Sequence, residues 1–167
     1  MKKPVILFLF FLLVLSCTSQ RDQISETACP NSYISKEHKH YFSEDNTDSN
    51  NDLLYIANIN NFKIKCKQKN QDSIHSIFDI LFTIKPLSKN VKNYNYSYFV
   101  SILDSENNIL DKQLFNVEGK FFTDQKNEPL EKVVIESLDQ YFPSVDKSYE
   151  IVIGFVLTEG KYNFINN

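Results

Sequence analysis

Three histidines, three cysteines and many carboxylates are the side chains of this 167-residue chain with the chemistry to hold a metal or move a proton. The sharpest arrangement is His38-x-His40. On a strand, residues two apart face the same way, so both imidazoles would project together, with Glu37 or Glu44 at hand to complete a tetrahedral site. Lys36 and Lys39 flank the pair, a setting that equally suits two solvated side chains, and His75 is remote in sequence. His38 and His40 are therefore only weak metal candidates, and no metal or other cofactor is expected. Asp45-Asn46-Thr47-Asp48-Ser49-Asn50 has the oxygen donors of a calcium loop. It lacks the glycine at the sixth position and the distal bidentate glutamate of an EF-hand, so a solvated loop is the reading. No nucleophile elbow, P-loop or glycine-rich dinucleotide turn is present. With three glycines in the chain, close backbone approach to a phosphate would be hard to build. No catalytic residue is assigned, and a non-enzyme is expected.

Cys17 carries a different chemistry. Lys2 and Lys3 precede an uncharged apolar run from Val5 to Leu15. Eleven residues of helix span about 16 Å, roughly half the hydrocarbon core of a bilayer, which suits the core of an export signal better than a membrane span. The run ends Val14-Leu15-Ser16-Cys17. An aliphatic residue three before the cysteine and a small one just before it resemble the bacterial lipobox. That resemblance implies cleavage between Ser16 and Cys17, diacylglyceryl transfer to the Cys17 thiol and acylation of the new amino terminus. The alternative is an ordinary signal peptide with a chance cysteine at its boundary. Two or more acyl chains anchor a protein stably where one is marginal. By resemblance to Gram-negative sorting rules, Thr18 rather than an aspartate after the anchor implies the outer membrane over the inner one, so its periplasmic face is the expected location.

Loss of residues 1–16 leaves about 150 residues, one domain's worth, and takes the net charge from −3 to about −5 because Lys2 and Lys3 leave with it. A mildly acidic chain without a basic block has no electrostatic footprint for nucleic acid and no polybasic patch for anionic lipid. Membrane attachment must then come from the anchor. With Cys17 committed to lipid, Cys29 and Cys66 remain. An exported compartment permits a disulfide between them. It would close a loop of about 38 residues, for which the chain-entropy estimate is roughly 4 kcal/mol. Two separate thiols are the alternative.

The elements that must position these residues are mostly strands. Residues 17–27 read as the lipidated terminus and a polar tether, reaching about 35 Å when extended. Residues 28–167 read as the domain. Leu53 to Ile59 and Phe62 to Gln68 form two short runs around Asn60-Asn61; in the second, Phe62, Ile64 and Cys66 alternate with Lys63, Lys65 and Lys67. Ile74 to Ile84 is β-branched and aromatic and stops at Pro86. Tyr94 to Asp104 puts Tyr96, Tyr98, Val100 and Ile102 on one face; Tyr94, Tyr96 and Tyr98 there suit core or cross-strand packing better than an exposed contact surface. Asp104 to Asn108 is a turn, and Ile109 to Val117 returns as its hairpin partner. Val133 to Phe142 fits a strand leading into Pro143, with a helical stripe as the alternative. Tyr149 to Leu157 is apolar on both faces, as a central strand is. About seven short strands and no long helix predict an all-β fold: an antiparallel two-sheet β-sandwich, immunoglobulin/fibronectin-like, behind a signal-peptide helix and a flexible tether.

Several stretches resemble a family of uncharacterised envelope lipoproteins from alphaproteobacteria. They are Tyr98-Phe99-Val100-Ser101-Ile102, Asp104, Ile109-Leu110, Phe115, the run from Tyr149 to Thr158, and Tyr162-Asn163. Cys29-Pro30, Tyr55 to Ile59 and Cys66 fit at plausible spacing, and Asn107 stands where the family pattern has glycine. The resemblance implies an exported β domain, supplies no catalytic residues and names no activity. The expectation is a membrane-anchored envelope lipoprotein that binds another envelope protein as an assembly or accessory factor. The alternatives are a carrier of a small hydrophobic ligand or an enzyme without a recognisable motif, and a structural spacer.

Overall fold

The structure is a computed structural model and describes residues 27–44, 53–70, 73–143 and 149–166. Residues 1–26, on which the expected signal, its cleavage point at Ser16 and Cys17 and most of the expected tether fall, lie outside the described residues, as do Asp45 to Asp52, read as a solvated loop. The described chain forms two four-stranded sheets. One sheet holds β2 (His40–Glu44), β3 (Leu53–Asn70), β4 (Ser73–Pro86) and β7 (Lys132–Pro143), in that spatial order. The other runs β1 (Asn31–Ile34), β8 (Glu150–Phe155), β5 (Asn93–Leu103) and β6 (Ile109–Lys120). We call them sheets A and B. Every pairing is antiparallel except β1 with β8, which is parallel. The two-layer sandwich expected from alternation is present. Its order is assembled from two hairpins, β3–β4 and β5–β6, with β7 and β8 each returning beside one of them.

Alternation explains the layers. In β4, Phe78, Ile80, Phe82 and Ile84 point inward and are fully buried, while Ile77, Asp79, Leu81 and Thr83 face out. They meet Tyr94, Tyr96, Tyr98, Val100 and Ile102 of β5 and Ile151, Ile153 and Phe155 of β8 in one core. Phe82 has ring contacts with Tyr96, Tyr98 and Phe155 at 5.1–5.8 Å between centroids. Each such side chain contributes about 1.5–3 kcal/mol on burial. The tyrosines of β5 are core residues, as the sequence suggested. Tyr149 to Leu157 also supplies the expected central strand, since β8 lies between β1 and β5 and is buried on both faces.

Two expectations need correction, and one short element was not foreseen. Leu53–Ile59 and Phe62–Gln68 are one strand, β3, with a β-bulge between them. Ile59 pairs with Phe82 and Asn61 with Leu81, so Asn60 is the extra residue. It switches the inward set from Tyr55, Ala57 and Ile59 to Phe62, Ile64 and Cys66. The change of phase is what made one strand read as two. The strand count is also eight among the described residues, because Asn31–Glu44, read without strands, supplies β1 and β2. Lastly, Glu159–Asn166 is a helix, α1. Thr158 caps it: its Oγ1 accepts from Lys161 N–H at 3.4 Å and its carbonyl from Tyr162 N–H at 2.9 Å. No helix among the described residues is long and apolar enough to cross a membrane.

Two turns share one design. Asp104 Oδ1 accepts from Glu106 N–H and Asn108 N–H, and Asn107 sits at φ 65°. Asp124 Oδ1 accepts in the same way from Lys126 N–H and Glu128 N–H, and Asn127 sits at φ 60°. Asparagine tolerates that left-handed conformation, and the aspartate satisfies the turn's amides. The second turn heads a small arm between β6 and β7, closed by the Thr123–Pro129 bridge.

Candidate functional site

The candidate histidines go to three separate places. His38 is in the link between β1 and β2, where the chain leaves sheet B for sheet A. Its carbonyl accepts from Phe155 N–H at 2.7 Å and its Nδ1 lies 2.9 Å from Phe155 O. Its ring is edge-on to Phe99 and beside Tyr162, both at 5.5 Å. His40 opens β2 on sheet A, with Nδ1 2.6 Å from Asn58 Oδ1. The i, i+2 geometry that would have aimed both imidazoles together is broken by the switch of sheets between them. Glu37 accepts from Tyr162 O–H at 3.0 Å, and Glu44 ends β2. His75 pairs with Asp139 at 2.7 Å and stacks on Tyr141 on the outer face of sheet A. No group of three or more His, Cys, Asp or Glu suited to a metal occurs among the described residues.

Cys29 and Cys66 are bridged, with Cα atoms 5.3 Å apart. Cys66 is buried at the far half of β3, and Thr27 N–H donates to Cys66 O at 3.2 Å. These contacts fix where the N-terminal segment joins the domain.

The arrangement with the most scope for chemistry is a cleft of about 400 Å³ at one end of the sandwich. Tyr41 and Ser43 of β2, Leu54 and Tyr55 of β3, the start of β5 from Asn93 to Ser97, and Val156, Thr158 and Lys161 line it. Lys161 Nζ sits 4.1 Å above the Tyr41 ring centroid and donates to Tyr41 Oη at 3.0 Å. Burial lowers the pKa of Lys161, and the charge of Glu44 partly offsets this. Burial raises those of Tyr41 and Tyr55, so both phenols stay neutral. Tyr55 O–H donates to Asn95 O and its oxygen accepts from Asn95 N–H at 2.9 Å, locking β3 to β5 at the cleft. Sequence reasoning passed over Lys161 because it is 120 residues from Tyr41. The one available signal was the Thr158-Glu159 start of a capped helix.

The second feature is an open side. β6 and β7 are edge strands of sheets B and A, as β1 and β2 are at the opposite edges, and a side-chain hydrogen bond links them: Gln140 Nε2 donates to Asp111 Oδ2 at 3.4 Å. The first six residues of β6, Ile109 to Leu114, are all exposed, with Ile109, Leu110 and Leu114 at 61, 54 and 63 %. β7 keeps a charged group on its inner face, Glu136, in phase with Val134, Leu138 and Gln140. An inward charge discourages an edge from accepting a strand. β6 has no such residue over Ile109–Leu114 except Asp111, which is held by Gln113 and Gln140.

Burial raises the pKa of Glu136. The folded state therefore holds that proton more tightly than the unfolded one, which favours folding at low pH and is lost as pH rises through the raised value. Glu136→Gln is expected to raise the melting temperature at about pH 7.5, with the gain shrinking towards zero at about pH 4. Equal melting temperatures at the higher pH would show that the carboxylate is fully solvated.

No protein-family model, curated protein or solved structure matches this chain. The site must be interpreted from its own geometry.

Proposed function

We propose that this chain is an envelope lipoprotein, anchored through Cys17 and non-enzymatic, whose sandwich recruits another envelope protein. The partner adds an extended segment as a fifth strand of sheet B along the free edge of β6. The observation that supports this is the exposed edge from Ile109 to Leu114. Its unpaired amides and carbonyls are matched by nothing so well as another strand, and its aliphatic side chains give the incoming segment apolar contacts. Neighbouring β7 is the poorer acceptor, with Glu136 facing inward. The proposed anchor suits this role: Thr27 is held at Cys66, so a lipidated segment preceding it would join the domain at a fixed point, near the periplasmic face of the outer membrane.

Two measurements test strand addition. A photoreactive residue in place of Leu114 should give a discrete crosslink in cells to one extended segment of a partner, and every second amide of β6 should gain hydrogen-exchange protection in the complex. Leu110→Lys with Leu114→Lys should weaken partner binding about tenfold, equivalent to about 1.4 kcal/mol. Unprotected β6 amides in the complex would sink strand addition. For the anchor, Cys17→Ala should abolish labelling of the protein by fatty acid and block the cleavage before residue 17; unchanged processing and membrane retention would defeat it.

A further inference from the structure

The cleft at Lys161 lies apart from the β6 edge from Ile109 to Leu114 and carries its own chemistry. We infer that it is a binding site for a small organic monocarboxylate, with Lys161 as the counter-ion and the tyrosine-lined wall as the seat for the ligand's apolar body. Four observations lead there. Among the twelve lining residues, Lys161 bears the one formal charge, and no aspartate or glutamate lines the cleft. Among the described residues, no carboxylate comes within 4 Å of Lys161 Nζ, although the ammonium is half-buried. The ammonium has three N–H donors and, among the described residues, spends one on Tyr41 Oη, while Glu44 acts on it only through its charge; two donors remain for a ligand. The volume, about 400 Å³, falls in the range of small-molecule sites.

The class of ligand follows from charge and wall. One ammonium neutralises one negative charge; a dianionic phosphate would bring an uncompensated second charge into a partly desolvated site. The phenols of Tyr41 and Tyr55 are neutral and do not repel an anion. Leu54, Val156 and the faces of the tyrosine rings are apolar, so a bare inorganic anion would leave most of the cleft unused. Asn93 also lines the cleft and brings side-chain amide donors. A carboxylate entering here replaces water around Lys161 with two charge-assisted hydrogen bonds, the stronger kind.

Ligand-observed and protein-observed NMR on the full-length chain tests this with three probes: phenylacetate, its neutral analogue phenylacetamide, and inorganic phosphate. Phenylacetate should bind saturably in the millimolar range or tighter, shifting signals of Tyr41, Tyr55 and Lys161. Phenylacetamide and phosphate should each bind at least about tenfold more weakly. Lys161→Met should weaken phenylacetate by a similar factor, and Lys161→Arg should retain most of it. If Lys161→Met fails to fold, the acid–amide comparison on the unaltered protein decides. Equal binding of acid and amide, equal binding of phosphate, absence of saturation with phenylacetate, or undiminished binding by a folded Lys161→Met would each overturn the assignment. These outcomes are independent of whether β6 takes a partner strand.

Discussion

Replacing Cys29 and Cys66 together by alanine is expected to lower the stability of the domain by about 4 kcal/mol. The two residues are 37 apart in sequence, and the bridge removes the corresponding loop-closure entropy from the unfolded chain. The structure gives it a second task. β1 is a four-residue strand held to β8 by a short parallel ladder, and it follows directly on Cys29 and Pro30. The far half of β3, beyond the bulge, is paired with β4. The disulfide ties the short β1 segment to this well-paired strand, and the Thr27–Cys66 hydrogen bond adds to the tie. Domains of this size have total stabilities of about 5–15 kcal/mol, so a loss of 4 kcal/mol removes a large share. Chemical denaturation of the double variant should show a lower midpoint, with a slope no shallower than before because the unfolded chain is less compact. A reductant should reproduce the shift in the unaltered protein. A change below about 1 kcal/mol would mean that the N-terminal segment is secured by its other contacts alone.

Gly154→Val should be nearly as damaging, at about 3 kcal/mol, with Gly154→Ala at about 2 kcal/mol. Gly154 is the second-to-last residue of β8, facing away from the core. A Cβ added there would lie 2.6 Å from His38 Cβ and 2.8 Å from Phe99 Cζ. Neither neighbour can move cheaply. His38 is held to Phe155 through both its carbonyl and its ring, and the Phe99 ring is covered by Lys112, whose Nζ sits 4.6 Å from the centroid. A side chain at 154 must therefore lift the β1–β2 link off β8, breaking the point where the chain passes from sheet B to sheet A. Because His38 Cβ is one of the obstructing atoms, His38→Gly should recover part of the loss in Gly154→Ala, a coupling that a double-mutant cycle measures. Gly160→Ala is the contrast. Nothing lies within 4 Å of its added Cβ, and it sits in α1, so alanine there should stabilise by up to about 1 kcal/mol. Equal effects at 154 and 160 would refute the steric account.

Strand-forming segments were the most legible part of the fold. β4 to β8 follow from alternation and β-branched or aromatic content, and the Asp104–Asn108 turn follows from its residue types. The same signal placed Tyr94, Tyr96 and Tyr98 inward, because they share phase with Val100 and Ile102. The Asp124–Asn127 turn repeats the Asp104–Asn107 pattern and could have been found that way. β1 and β2 escaped because they are only four and five residues long and depend on partners far along the chain, β8 and β3. The bulge escaped because a phase change in period two looks like a break. α1 escaped because eight residues give little periodicity, and its contacts are made to distant residues such as Phe42, 4.7 Å from Phe164 between ring centroids.

By itself, the sequence determined the class of fold, the phase of its longer strands, the candidate pairing of Cys29 with Cys66 and the expectation of an anchor at Cys17. Each rests on neighbours along the chain: alternation, turn residues, a short motif or a count of cysteines. The tertiary structure alone decided which edges stay free, that His38 and His40 part company, and that Lys161 meets Tyr41 and Tyr55 in one cleft. Those outcomes depend on sheet order and on where the chain changes sheets. They are set by the packing of elements far apart in the chain, which no local pattern encodes.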